Sequence, residues 1–248
     1  EVRLTATQTL AEIGTSEAVV PLGEALTDEA VKVRRAAADA LRNLADSRVL
    51  PQLANALGDS ESAVYYAARD ALTRIGAPAV PVLLESLGND NTRIAYTAQQ
   101  ALSRIGEASI EPLVNMLRDA PDAERARWAA VALGEIGAEA VEPAAELLHD
   151  ESAQITARSS AAQALGITGS FSATEPLTEA VADAPAAVRE EAVEALGAIG
   201  DEEATDALVN ALQDSAESVR VVAMDVLIEW RLGEVDELLA ELLDSDDR

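Results

Sequence analysis

The stretch VRRAAADALRNLA, from Val33 to Ala45, organises the whole chain, because a similar stretch occurs seven more times. Successive copies end 30 to 32 residues apart. The closing residues of the eight copies are Gly14, Ala45, Gly76, Gly106, Gly137, Gly169, Gly200 and Arg231. A fixed period of this length is typical of proteins built from stacked structural repeats. The sequence therefore predicts a solenoid in which each repeat packs against its neighbours.

Each repeat is predicted to contain two helices. In the first, helix A, the apolar residues Val33, Ala37, Ala40, Leu41 and Leu44 fall on one stripe at about 100° per residue. Glycine closes six copies, where a left-handed residue can end the helix. A second helix, helix B, follows, and proline stands near its start in six of the eight repeats. We expect an all-α, right-handed superhelix of about eight two-helix repeats, forming a single domain over residues 1–248.

An aspartate follows each helix B, where it is expected to cap free amide groups at the start of the next helix A. These residues are Asp28, Asp59, Asp90, Asp119, Asp150, Asp183, Asp214 and Asp244. In four repeats an arginine stands six residues after the aspartate, as Arg34 does after Asp28 and Arg220 after Asp214. Such Asp–Arg pairs are predicted to bridge successive repeats through bidentate hydrogen bonds.

The composition is strongly acidic, with a net charge of −27, and Lys32 is the only lysine beside seventeen arginines. Such a surface repels phosphate, which argues against nucleic acid and anionic membranes as partners. The sequence has no long apolar run that predicts membrane insertion and no cysteine. We expect a cytoplasmic protein, and the acid-rich, lysine-poor composition suggests a salt-loving archaeon. Because the chain begins at Glu1, two residues into a repeat, we expect it to be a segment of a longer protein.

The repeat pattern VRxxAxxALxxIG, then proline, a leucine-rich helix and aspartate, resembles HEAT-like repeats of the phycobilisome-lyase type over essentially the whole chain. The resemblance implies a superhelix with the A helices on its convex side and the B helices lining its concave side. It implies no single function, because repeats of this kind occur in scaffolds, chromophore lyases, a hydroxylase and DNA-repair enzymes.

No catalytic residue, metal ligand or cofactor is predicted. The single histidine, His149, lies at the predicted end of the fifth B helix, where an imidazole suits the helix dipole. Deoxyhypusine hydroxylase, which has related repeats, uses paired His-Glu motifs that this sequence lacks. Glycine-rich phosphate loops are also missing, since the glycines are spaced as helix ends.

One row of candidate binding residues lies on the B helices, two residues before the last apolar position. Its members are Glu24, Asn55, Glu85, Asn115, Glu146, Glu179 and Asn210, with Glu241 near the same place in the last repeat. Glutamate and asparagine repeated along a concave ridge can bind the backbone of an extended peptide or a basic helix. The alternative is an ordinary solvated helix face.

A second row lies at the third position of the A-helix pattern in four successive repeats, with an expected spacing of about 10 Å between neighbours. Its members are Arg35, Tyr66, Tyr96 and Arg127. Exposed Tyr and Arg are enriched at interface hot spots. Residues 1–124 carry 18 acids and 11 bases, whereas residues 125–248 carry 27 acids and 7 bases. An acidic partner would therefore dock on the first half only, although these side chains could also simply cover neighbouring helix surface.

These observations favour a non-catalytic scaffold that binds another protein or a peptide through the concave row or the convex row. The alternative is a bilin-lyase-like enzyme or a lyase subunit, which the family resemblance includes.

Overall fold

The computed structural model describes residues 1–119 and 122–230, which form fifteen α-helices and six short 3-10 helices, with no strand among those residues. The predicted all-α class is confirmed. The α-helices are α1 Val2–Ile13, α2 Val19–Ala25, α3 Val31–Leu44, α4 Leu50–Ala56, α5 Ser62–Ile75, α6 Val80–Ser86, α7 Thr92–Ile105, α8 Glu107–Arg118, α9 Ala123–Ile136, α10 Val141–His149, α11 Ile155–Thr168, α12 Thr174–Asp183, α13 Ala186–Ile199, α14 Thr205–Ala211 and α15 Glu217–Trp230.

The odd-numbered helices are the predicted A helices, and the even-numbered helices are the B helices. The predicted closing residue Arg231, the aspartate Asp244 and the row member Glu241 lie outside the described residues. Each of the six glycines predicted to close an A helix has a positive φ, between 59° at Gly14 and 93° at Gly137. In the second repeat Ala45 takes this place with φ 47°, in the left-handed region that favours glycine.

The described chain divides into two compact units, residues 1–116 with 122–136, and residues 117–119 with 137–230. In the first unit α1, α3, α5, α7 and α9 pack in succession, and α2, α4 and α6 each pack on the A helix that follows. In the second unit α11, α13 and α15 pack in succession, and α10, α12 and α14 likewise each pack on the next A helix. The predicted superhelix and the single domain stay predictions.

The core of each repeat consists mainly of alanine, leucine and valine. Of the predicted stripe on α3, Val33, Ala37, Ala40 and Leu41 are buried, whereas Leu44 in the last turn is only half-buried. Ala38, which the stripe did not include, is also buried. The buried face is broader than predicted because α3 packs against α1, α2 and α5 at the same time.

Small residues let neighbouring A helices approach closely. A Cβ atom added to Gly166 in α11 would lie 2.8 Å from Ala195 Cα in α13, closer than van der Waals contact permits. Gly166 is therefore a packing residue at this helix contact rather than a helix end.

The aspartates after the B helices act differently from the prediction. Asp28 Oδ1 accepts the N–H of Ala30 at 2.8 Å, and Asp214 Oδ1 accepts the N–H of Ala216 at 2.7 Å. Ala30 is itself the N-cap of α3, so Asp28 closes the turn that leads into the helix instead of capping the helix amides. It stands three residues before the first helical residue, Val31, and is too distant for a true cap.

Arginine bridges successive repeats as predicted, but its carboxylate partner is different. Arg34 donates to Asp59 of the next repeat through Nε at 2.7 Å and Nη2 at 3.0 Å. Towards Asp28 it donates only to the backbone carbonyl, at 2.9 Å. The Asp28 carboxylate already accepts the Ala30 N–H and contacts Arg3 Nε at 2.6 Å. The predicted pairing of carboxylate and arginine six residues apart is therefore wrong.

The same bridge recurs in the second compact unit, where Arg189 donates to Asp214 at 2.7 and 2.6 Å and to the Ala184 carbonyl at 2.8 Å. Both side chains are largely buried. The Arg189 guanidinium lowers the pKa of Asp214 below its usual value, and the hydrogen bond from the Ala216 N–H adds to this effect. The bridge thus depends on an ionised carboxylate.

None of the helices in residues 1–119 and 122–230 combines the length and the apolarity that crossing a membrane requires.

Candidate protein-binding surface

The predicted row on the A helices lies on the exposed side of α3, α5, α7 and α9, which pack in succession. Arg35 and Arg127 are exposed, and the exposed fractions are 45% for Tyr66 and 49% for Tyr96. The expected spacing of about 10 Å between row members stays a prediction.

Aromatic rings and guanidinium groups contact one another around Tyr66. The rings of Tyr65 and Tyr66 are 4.4 Å apart between centroids. The guanidinium carbon of Arg69 lies 4.9 Å from the Tyr66 ring centroid, and that of Arg93, on the next A helix, lies 5.5 Å from the Tyr65 ring centroid. These distances are within the range of cation–π attraction.

A second group surrounds Tyr96 and connects α7 to α9. The Tyr96 ring meets the edge of the Trp128 ring with centroids 6.1 Å apart, and Arg127 lies 5.9 Å from the Trp128 centroid. Gln100 Nε2 donates to Tyr96 Oη at 2.9 Å. We call Tyr65, Tyr66, Arg69, Arg93, Tyr96, Arg127 and Trp128 the aromatic–arginine surface.

The sequence prediction found Tyr66, Tyr96 and Arg127 but missed Tyr65, Arg93 and Trp128 as members of this surface. A usable signal was the scarcity of aromatic residues. The chain has only six Phe, Trp and Tyr residues, and four of them fall between positions 65 and 128. That clustering along the chain would have pointed to the same three helices.

Several side chains of this surface are held in place before any partner binds. Arg69 is only 8% exposed and donates to Asp70 Oδ1 at 3.1 and 2.8 Å and to Gln100 Oε1 at 3.0 Å. Arg93 Nη1 donates to the Asp59 carbonyl at 2.8 Å. Because Arg93 is exposed as well as held in place, a partner that contacts it would lose less side-chain entropy than on a free arginine.

The helices under this surface are basic, although the chain as a whole is acidic. Helices α5, α7 and α9, which carry this surface, together contain six Lys or Arg residues and three Asp or Glu residues. The net charge of the whole chain is −27. The surface is therefore a local exception to the general charge.

The predicted row on the B helices is exposed at each described member. These residues are Glu24, Asn55, Glu85 and Asn115 in the first compact unit, and Glu146, Glu179 and Asn210 in the second. His149 is the last residue of α10, as predicted, and its Nε2 lies 3.6 Å from Glu179 Oε2. Asn210 lines a shallow groove between α12 and α14 together with Thr178 and Asp206.

Reactive groups are sparse in the described part of the chain. No three His, Cys, Asp or Glu side chains converge there into a group suited to a metal ion. Glu191, in α13, is a carboxyl group with a raised pKa. Partial burial, together with the charges of Glu194 and Glu190, raises its pKa to about 7.

Comparison with known proteins identifies the repeat. A family model described as HEAT repeats matches residues 1–73, 50–134, 110–189 and 174–248, which together span the chain. No curated protein matches.

Three solved structures are similar along most of their length. Human deoxyhypusine hydroxylase in complex with glycerol is 27% identical, with 91% of this chain and 88% of that chain covered and a TM-score of 0.39. The complex of CpcE and CpcF of phycocyanin lyase from Nostoc sp. PCC7120 is 22% identical, with coverages of 89% and 93% and a TM-score of 0.38. A computationally designed armadillo repeat protein for modular peptide recognition is 21% identical, with coverages of 84% and 97% and a TM-score of 0.38.

With TM-scores below 0.5, these likenesses carry no argument about what this chain binds or catalyses. The family model, in contrast, covers the full sequence and agrees with the paired helices of the structure. This protein therefore belongs to the family of HEAT-repeat proteins.

Proposed function

We propose that this protein is a non-catalytic scaffold that binds another protein through the aromatic–arginine surface. The observation that carries the proposal is the placement of four of the six aromatic residues on α5, α7 and α9, in contact with arginines. A chain whose core is built from Ala, Leu and Val has no packing need for half-exposed tyrosines on these helices.

The physical basis of binding would be the burial of Tyr66 and Tyr96 by the partner. Tyrosine offers a large contact area at a small entropic cost, since only two side-chain torsions must be fixed. Both rings already touch a neighbouring ring, at 4.4 and 6.1 Å, which limits their motion before binding. Residues of these types in such a position typically account for most of the binding energy.

The B-helix row is a second place where a partner could bind. Its support is the continuous exposure of Glu24, Asn55, Glu85 and Asn115 along the first compact unit. The described row has no aromatic residue, so we rank it below the aromatic–arginine surface as an energetic centre. An extended peptide held through its backbone amides is the occupant that suits this chemistry.

The acidic composition supports a halophilic archaeal origin and a cytoplasmic location as further parts of the proposal. Carboxylates keep a surface hydrated in molar salt, where the Debye length is about 3 Å and charge repulsion is screened.

A bilin-lyase-like activity is the competing function. It predicts a tetrapyrrole-coloured protein after purification under native conditions.

The double variant Tyr66→Ala/Tyr96→Ala tests the proposed surface. Proteins captured from lysate at high salt by the wild-type chain are identified by mass spectrometry, and the affinity of the main partner is then measured with purified proteins. We expect the double variant to bind about tenfold more weakly or worse, because two hot-spot side chains are lost. Circular dichroism should be unchanged, since both rings are about half exposed.

Phe171→Ala is the matched control, because Phe171 is an exposed aromatic residue, 64% exposed, in the second compact unit. This variant should keep full affinity. Unchanged binding by the tyrosine variant, with its helicity intact, would remove the aromatic–arginine surface as the binding site.

A further inference from the structure

We infer that the protein partner presents a carboxylate-rich segment to the face formed by α3, α5 and α7. This inference rests on the proposed function and adds the chemical class of the ligand. It follows from the charge of this face, from the exposure of particular guanidinium groups and from the exposed tyrosine rings on α5 and α7.

The charge of this face is reversed relative to the A helices of the second compact unit. Helices α3, α5 and α7 carry eight basic and two acidic residues. Helices α11, α13 and α15 carry three basic and six acidic residues. An acidic segment is attracted to the first set of helices and repelled by the second. The charge distribution therefore favours α3, α5 and α7 as the binding site.

Not every arginine of this face is free to bind a partner. Arg34 is committed to Asp59, and Arg69 to Asp70 and Gln100, and the exposed fractions of these two side chains are only 13% and 9%. These two arginines stabilise contacts between neighbouring repeats. Arg93 on α7 is exposed but donates to the Asp59 carbonyl.

Three further arginines are exposed, one on each helix: Arg35 on α3, Arg74 on α5 and Arg104 on α7. The side chains of Arg35 and Arg104 are 63% and 53% exposed. Their protein contacts are weak, because Arg35 Nε is 3.9 Å from Asp39 and Arg104 Nη1 is 3.3 Å from Asp70. A partner carboxylate could replace these exposed contacts with bidentate ones.

The exposed rings make a short peptide segment a better fit than a nucleic acid. Tyr66 on α5 and Tyr96 on α7 are about half exposed and can cover apolar side chains that alternate with acidic ones in a peptide. A nucleic acid would extend its phosphates past the basic face, where the net charge of −27 repels them. A short acidic segment need not extend beyond this face, so it avoids most of that repulsion, which acts over a Debye length of about 10 Å at 0.1 M salt.

The test uses three fluorescein-labelled peptides that share the same leucine positions and fill the others mainly with Glu, Gln or Lys, together with labelled oligo-dT. Binding to the whole chain is measured by anisotropy from 0.1 M to 1 M NaCl. We expect the Glu peptide to bind at least about tenfold more tightly than the other probes, and its affinity to fall as salt rises.

The triple variant Arg35→Gln/Arg74→Gln/Arg104→Gln should bind the Glu peptide about tenfold more weakly, because each exposed charge contributes a small factor. The control Arg3→Gln/Arg48→Gln/Arg118→Gln removes the same total charge from exposed positions outside α3, α5 and α7. It should keep the affinity within about twofold of the wild type. Charges that do not contact the peptide act on it only at a distance, where salt screens them.

The inference would be overturned by equal binding of the Glu and Gln peptides, by no peptide binding at about 1 mM, or by tighter binding of oligo-dT. If Tyr66→Ala/Tyr96→Ala weakens binding of the Gln peptide while the triple arginine variant does not, the scaffold function is supported and the acidic partner is rejected. If neither set of substitutions changes binding of the captured protein partner, the proposed function falls as well.

Discussion

Ala45 stands where six other repeats have a glycine, and it is the one non-glycine residue with positive φ in the described chain. Its φ of 47° is in the left-handed region, in which the Cβ atom of an L-residue crowds the following carbonyl. The helix nevertheless ends there, with the Ala45 N–H donating to the Leu41 carbonyl at 2.8 Å. The helix therefore ends at the same position as in the other repeats, although its closing residue is strained.

Ala45→Gly should stabilise the protein by about 0.5 to 1 kcal/mol, because glycine removes the steric cost of the left-handed conformation. The control Ala36→Gly places glycine inside α3 and should destabilise by about 1 kcal/mol. Urea unfolding followed by circular dichroism measures both changes. A destabilised Ala45→Gly protein would contradict this account of the helix end.

Glu191 is predicted to make the stability depend on pH. Its pKa is raised to about 7 by partial burial and by Glu194 and Glu190, so the ionised form is disfavoured in the folded state. The folded protein then binds more protons than the unfolded chain between about pH 4.5 and 7, and stability falls as pH rises through this window.

Glu191→Gln should therefore leave stability nearly unchanged at pH 4 and raise it at pH 8, as measured by thermal unfolding across this range. Glu190→Gln is the matched control. Like Glu191→Gln it removes one negative charge, but it leaves Glu191 itself partly buried and ionisable. An equal gain from both substitutions would assign the effect to charge repulsion alone.

Several repeats are connected to the next by the same element, which is a helix B, a turn closed by aspartate or asparagine, and the following helix A. In the first compact unit, α2 packs on α3, and Asp28 closes the turn between them. In the turn between α6 and α7, which also contains Asp90, the Asn89 and Asn91 side chains accept the N–H groups of Asn91 and Arg93. A neutral amide therefore forms the turn as well as a carboxylate does, so the charge of the aspartate serves the arginine bridge.

Asp214→Asn should destabilise the protein by about 1.5 to 3 kcal/mol at pH 7, because Arg189 loses a bidentate, largely buried carboxylate partner. The pKa of Asp214 is below its usual value, so this contribution is present above about pH 4 and is lost as pH falls through the folded pKa. Chemical unfolding at pH 7, compared with thermal unfolding down to pH 3, measures both effects.

Asp225→Asn, at an exposed position of α15, is the control and should change stability by no more than about 0.5 kcal/mol. The bridge would be unimportant if both substitutions had the same small effect, or if the Asp214→Asn difference did not begin to shrink as pH falls below about 4.

The whole molecule combines a core of small apolar residues with a net charge of −27. Burial of alanine contributes less apolar area per residue than burial of leucine or phenylalanine, so each repeat has a small hydrophobic gain to set against charge repulsion. Salt acts on this balance, since it screens the repulsion between exposed carboxylates.

The free energy of unfolding should therefore rise steadily as NaCl is increased from about 0.05 M to 1 M and beyond, with helicity reduced at the lowest salt. Circular dichroism across the salt series, with urea unfolding at each point, measures the change. A non-ionic osmolyte at equal osmolality is the control for general exclusion effects. Full stability at low ionic strength would contradict the halophilic hypothesis.

The repeat length, the helix ends at Gly14 and Gly76 and the buried stripe from Val33 to Leu41 could be read from the order of residues alone. They depend on local physics, namely the period of a helix, the freedom of glycine at positive φ and the burial of one helix face. Only the tertiary structure decided that Arg34 pairs with Asp59 and that Trp128 joins Tyr96. These partners are 25 and 32 residues apart, and their meeting depends on how neighbouring helices are rotated and how closely they pack, which no local pattern specifies.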